Sequence, residues 1–165
     1  MRILVCDDDV VVPMAVSMAH DDVEVHEARR VHEVVGTARE VRPDAIVLDL
    51  KMPDGDGLEA ARALRADPAV ADVVLVVLTA GHDPAKRGEV LAAGADEYIA
   101  KPFDPEELVT LLRQLLAVPA GERKVRRTLH RARLHSGRDD GGTSDLPSVA
   151  PAAEPPPKRR RFRRS

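Results

Sequence analysis

The chain has few aromatic residues and a single thiol. Of 165 residues none is Trp, one is Tyr and two are Phe, so any core must be built from Val, Ala and Leu. Cys6 is the sole cysteine, which excludes an internal disulfide and makes a reduced, cytoplasmic setting the default expectation. No run approaches the roughly 18 apolar residues of a membrane span, and the amino terminus lacks a secretory pattern. A nucleotide-binding pattern of glycines and asparagine is also missing, which argues against a kinase. The six histidines show no metal-ligand spacing with a cysteine or carboxylate partner.

Charge is unevenly placed. Residues 1–118 hold 12 Lys+Arg against 23 Asp+Glu, a balance of −11, and residues 119–165 hold 13 against 5, a balance of +8; together they make the net −3 of the chain. Such a split predicts an acidic folded domain over 1–118, then a basic extension.

Five aliphatic runs alternate with stretches of helical periodicity. Strands are expected at Arg2–Cys6, Val23–Glu27, Ala45–Leu48, Val73–Leu78 and Tyr98–Ala100. Between them, Val31, Val34, Val35, Ala38 and Val41 recur at helical spacing before Pro43, and further helices are expected over 58–66, 84–94 and from Asp104 onward. A first helix should run to about His20, beginning near Val12 so that Pro13 falls within its first turn. Continuous apolar strands separated by helices read as an α/β fold, a five-stranded doubly wound parallel sheet with helices on both faces.

A polar residue follows four of these runs: Asp7-Asp8-Asp9, Asp49, Thr79 and Lys101. The carboxyl ends of parallel strands open into one crevice, so these residues should converge there. Several carboxylates, a hydroxyl and an ammonium in one crevice suit a divalent cation and a phosphoryl group.

The segments Ile3–Asp9, Leu48-Asp49-Leu50-Lys51-Met52-Pro53-Asp54-Gly55-Asp56-Gly57-Leu58, Leu78-Thr79-Ala80 and Lys101-Pro102-Phe103 resemble the signatures of the two-component response regulator receiver domain. The spacings agree, with Thr79 30 residues and Lys101 52 residues after Asp49. The resemblance spans residues 1–118 and implies a flavodoxin-like sheet of order 2-1-3-4-5. It implies Asp49 as the phosphoacceptor, with Mg²⁺ held by Asp8, Asp49 and the Lys51 backbone carbonyl, and Asp7 acting through water. Lys101 would pair with a phosphoryl oxygen, and Thr79 with Tyr98 would form the switch that alters the face of helix 4, strand 5 and helix 5. A sensor histidine kinase or phosphotransfer protein would be the donor, with a homodimer on phosphorylation as one output. The chain would then be a signalling domain and not a classical enzyme, although it assists its own phosphotransfer and dephosphorylation. A phosphorylation-independent receiver scaffold is the competing reading, against which the intact Asp8, Asp49, Thr79 and Lys101 set weighs.

Residues 119–135 read as a short basic helix with Val125, Leu129 and Ala132 on one face, and 136–165 as a flexible linker ending in six basic residues around Phe162. The options for this extension are a solvated tail, contact with nucleic acid through phosphates, an acidic membrane surface, or docking on the acidic domain.

Overall fold

The computed structural model describes residues 1–81 and 83–135, so the linker and tail expected over 136–165 lie outside the described residues. Five parallel strands form the sheet: β1 (Arg2–Cys6), β2 (Glu24–Ala28), β3 (Ala45–Asp49), β4 (Val74–Thr79) and β5 (Glu97–Ala100), in the order β2-β1-β3-β4-β5. This is the expected flavodoxin-like topology. A two-residue ladder, Lys51–Met52 against Gly55–Asp56, stiffens the loop after β3.

The central strands are buried on both sides because helices cover both faces. Leu4, Cys6, Ile46, Leu48, Leu75 and Val77 point to one face, where they meet α2 (Val34–Val41), α3 (Gly57–Ala66) and α4 (Pro84–Ala93). Ile3, Val5, Ala45, Val47, Val74 and Val76 point to the other, against α1 (Val11–Ala19) and α5 (Pro105–Ala117). The period of two along each strand sorts the side chains between these two cores.

Several boundaries differ from the sequence expectations. β2 runs one residue later than expected, in register with β1 through Cys6 and Ala28. Asp49 and Thr79 are the last residues of their strands and not the first beyond them, because Asp49 pairs with Leu78 and Thr79 with Ala100. Pro13 is the third residue of α1, where an amide would have no intrahelical partner to lose. A short 3₁₀ turn (Val31–Glu33) leads into α2, which ends where Arg42 takes a left-handed conformation (φ 48°) ahead of Pro43.

Aspartates set the remaining helix starts. Asp56, Asp83 and Asp104 each accept a backbone amide from two residues on, capping α3, α4 and α5. Asp9 does the same for Val11, although the residue in the cap position of α1 is Val10.

A sixth helix, α6 (Ala120–His135), packs on α4. The face that carries Val125 and Leu129 is turned to solvent, these residues being 60% and 56% exposed, and Arg123 and Arg127 face the body. Arg123 donates to the Leu115 carbonyl, which also accepts from the Val118 amide that closes α5, to the carbonyl of Val118 itself, and to the Asp72 carbonyl. Backbone carbonyls around the end of α5 and the Asp96 carboxylate hold the two arginines against the body.

Candidate functional site

The carboxyl ends of β1, β3, β4 and β5 bring together Asp7, Asp8, Asp49, Thr79 and Lys101, as expected. Lys101 occupies the centre. Its ammonium donates to Asp7 Oδ2 at 2.7 Å and to Asp49 Oδ2 at 2.6 Å. The opposite oxygens are held by backbone: Asp9 N–H donates to Asp7 Oδ1 at 2.9 Å and Lys51 N–H to Asp49 Oδ1 at 3.1 Å. Both carboxylates are therefore fixed in rotamer and nearly dry, while Asp8 beside them is exposed.

Burial pulls the Lys101 ammonium down, but its hydrogen bonds to Asp49 and Asp7 and their charges outweigh it, and its pKa lies above the ordinary lysine value. Burial, with Asp7 adjoining, pushes the Cys6 thiol far up, so this thiol stays protonated.

Asp7, Asp8 and Asp49 each offer one carboxylate oxygen, all within 4.8 Å of one another. Three hard oxygen donors in that space fit a small divalent cation such as Mg²⁺. Lys51, whose amide engages Asp49, opens the small ladder after β3 and its side chain is exposed.

Thr79 is buried, and its hydroxyl donates to the Gly81 carbonyl at 2.9 Å. It is thus turned along its own loop, while the Thr79 carbonyl accepts from Lys101 N–H at 2.7 Å. The Lys101–Pro102 peptide is cis. Tyr98 stands beside Val77 on the α4 face, half-buried, with the Arg87 guanidinium 5.4 Å from its ring centre.

Two supporting features were not singled out in the sequence. Gly57 donates its amide to the Leu50 carbonyl, folding the loop back so closely that a Cβ would meet the Asp49 carbonyl oxygen and stand 2.8 Å from Leu50 Cα. The Asp-Gly-Asp-Gly run signals a tight loop but not this contact. Asp54 accepts from the Val31 amide at 2.9 Å, the His32 amide at 3.3 Å and His32 Nδ1 at 2.7 Å, tying the same loop to the start of α2. Nothing in the spacing of 22 residues predicts that pairing.

No helix among the described residues is long and apolar enough to cross a membrane. Residues 3–113 match the sequence profile of the response regulator receiver domain. The response regulator MprA of Mycolicibacterium vanbaalenii is 42% identical over 118 residues, covering 70% of this chain and 50% of that protein. The chain spans about half the length of the curated relatives it matches. Among solved structures, chemotaxis response regulator CheY4 of Vibrio cholerae is 31% identical, with TM-score 0.63, covering 68% of this chain and 96% of that one. The receiver domain of sensor histidine kinase PA1611 from Pseudomonas aeruginosa, described with a magnesium ion coordinated in its active site cleft, is 29% identical with TM-score 0.63, covering 71% and 98%.

Proposed function

The chain belongs to the response regulator receiver domain family of two-component systems, and from that membership we propose that Asp49 is a phosphoacceptor served by Asp7, Asp8, Thr79 and Lys101. The observation that carries this is the ammonium of Lys101 bridging Asp7 and Asp49 beside the exposed Asp8. In the proposed transfer, an Asp49 carboxylate oxygen attacks phosphorus, the P–N bond to a donor imidazole breaks, and an acyl phosphate forms. A divalent cation held by Asp8, Asp49 and the Lys51 carbonyl would supply neutralisation between the two anions.

Lys101 is positioned to move its hydrogen bond from Asp49 Oδ2 to a phosphoryl oxygen. Asp7 keeps the ammonium aimed while it does so. Asp9 N–H and Lys51 N–H keep both carboxylates from rotating, so catalysis here is positioning and electrostatics. Receivers are signalling domains, and assistance of transfer and dephosphorylation is the extent of chemistry proposed.

A protein donor, a sensor histidine kinase or a phosphotransfer protein, suits the surroundings. Val10, Val11, Met14 and Met18 on and before α1 are all at least half exposed, an apolar row beginning directly after the acidic cluster. For output, we propose that the Thr79 hydroxyl leaves the Gly81 carbonyl for the acyl phosphate and that Tyr98 repacks in response, altering α4, β5 and α5.

Intact-protein mass after incubation with Mg²⁺ and a small-molecule phosphodonor tests the proposal. One phosphoryl group on the wild type and none on Asp49→Ala is expected. An unmodified wild type, under conditions that label a control receiver, would overturn it in favour of a phosphorylation-independent scaffold.

A further inference from the structure

The sixth helix is attached to the body in an unusual way. The side it buries is ionic, and the side it exposes carries Val125 and Leu129. Arg123 is 8% exposed, and its guanidinium reaches the Leu115, Val118 and Asp72 carbonyls. One turn on, Arg127 donates to Asp96 Oδ1 at 2.7 Å and approaches Asp72 Oδ1 at 3.5 Å. Asp96 is itself buried, its other oxygen taken by Arg65 at 3.1 Å and by Leu75 N–H at 2.9 Å.

Such an attachment is specific but weak. Drying two guanidinium groups cancels much of what their hydrogen bonds gain. The Nε of Arg123 is buried with no hydrogen-bond partner, a further cost. The apolar residues that would strengthen docking point away from it. Segments held by few apolar contacts occupy the low end of local stability.

The helix also rests on the element best placed to move. α4 begins just beyond Thr79 and Gly81, capped by Asp83, and ends at Gly94, two residues before Asp96. One end of α4 thus borders the phosphoryl site, and the other borders the carboxylate that holds Arg127. α6 packs on α4 and, through Arg127, on Asp96 just past its far end.

We propose that α6 is a releasable clasp on α4. It is docked while the Thr79 hydroxyl bonds the Gly81 carbonyl, and is freed when that hydroxyl turns to an acyl phosphate on Asp49. Release exposes Arg123 and Arg127 beside Val125 and Leu129, which are already open to solvent, and frees a basic amphipathic helix. The proposal rests on the phosphoacceptor reading of Asp49 and adds what that site controls.

Coupling of this kind is reciprocal: whatever factor ligand at Asp49 adds to α6 opening, α6 opening adds to ligand affinity. Hydrogen exchange by mass spectrometry on the full chain, with Mg²⁺ and with or without beryllofluoride as the acyl-phosphate mimic, reads both directions. Beryllofluoride is expected to slow exchange around residues 49–57 and to speed it across 120–135 by at least about fivefold, leaving 105–117 protected. Arg127→Ala should exchange rapidly over 120–135 without ligand and bind beryllofluoride more tightly by a similar factor. If Arg127→Ala fails to fold, Arg127→Lys, which keeps the charge but not the two-pronged contact, should show the same changes in smaller measure. Slowed exchange at 49–57 with none gained over 120–135 would overturn the clasp alone, as would unchanged affinity in a folded variant with a loosened helix. No response at 49–57 in the wild type would sink the phosphoacceptor reading and the clasp with it.

Discussion

Lys101 Nζ lies 2.6 Å from Asp49 Oδ2, so the group proposed to receive phosphate is already paired with the cation proposed to stabilise it. That pairing makes the site electrostatically prepared before any donor arrives. Lys101→Gln should lower the rate of Asp49 phosphorylation by about 10²-fold, measured by intact mass against time. The same contact has a pH signature. Because the Lys101 pKa is raised on folding, its contribution to stability is complete below about pH 10, the unfolded lysine range, and fades as pH rises through the folded value. The difference in urea midpoint between wild type and Lys101→Gln should therefore be constant up to about pH 10 and shrink as pH rises further.

Mg²⁺ is expected to stabilise the folded chain. At ten times its dissociation constant a single bound ion adds about 1.4 kcal/mol, a rise of several degrees in Tm. Asp8→Asn removes one of the three converging carboxylates and should reduce that shift. An equal Mg²⁺ response in wild type and Asp8→Asn by thermal unfolding would count against the assigned ligands.

Gly57→Ala should disturb the site from behind. The added methyl would press on the Asp49 carbonyl and on Leu50 Cα, backbone atoms held in the central sheet or next to it. Overpacking of this kind costs about 1–3 kcal/mol, and the relief available is movement of the loop that presents Asp49. Lower stability in urea together with slower phosphorylation is expected, whereas Gly81→Ala, where a Cβ meets nothing within 4 Å, should leave stability nearly unchanged.

Asp96→Ala should be among the more damaging substitutions away from the site. It strips the shared carboxylate from Arg65 and Arg127, whose side chains are only 13% and 10% exposed. Burial already pulls the Arg65 pKa down to about 10 with Asp96 in place. Loss of one partner from a buried ion pair costs about 3–5 kcal/mol, readable as a shift in the urea midpoint.

The tie that Asp54 makes to the start of α2 should weaken in strong acid. Burial tends to raise the Asp54 carboxyl, but the Val31 amide and the His32 ring and amide outweigh it and bring its pKa to about 2. A depressed pKa stabilises above the unfolded value near 3.9 and loses that effect as pH falls toward 2. Asp54→Asn should therefore narrow the loss of stability between pH 4 and pH 2, followed by fluorescence-independent means such as circular dichroism, since the chain has no Trp.

The sheet and its polar strand ends were legible because continuous Val, Leu and Ile runs leave few alternatives to buried parallel strands, and each site residue sits where such a run stops. Local caps were equally plain at Asp104, whose partner amide is two residues away. What escaped the sequence depends on distant pairing. His32 with Asp54, and Arg127 with Asp96, join residues 22 and 31 apart through loops whose course only the folded chain decides. The sequence left open which face α6 turns to the body, for a related reason. Periodicity ranks faces by hydrophobicity and is blind to the carbonyls at and just beyond the end of α5 that accept from Arg123.

The ammonium of Lys101 touches a carboxylate 94 residues earlier and another 52 residues earlier. Contacts of such long reach close last, after the loops between them have been ordered. A half-formed domain, with β5 not yet laid beside β4, would keep Asp49 and yet lack its cation. On the phosphoacceptor reading of Asp49, competence to carry a signal depends on completed folding, and a copy lacking that cation is slow to accept phosphate.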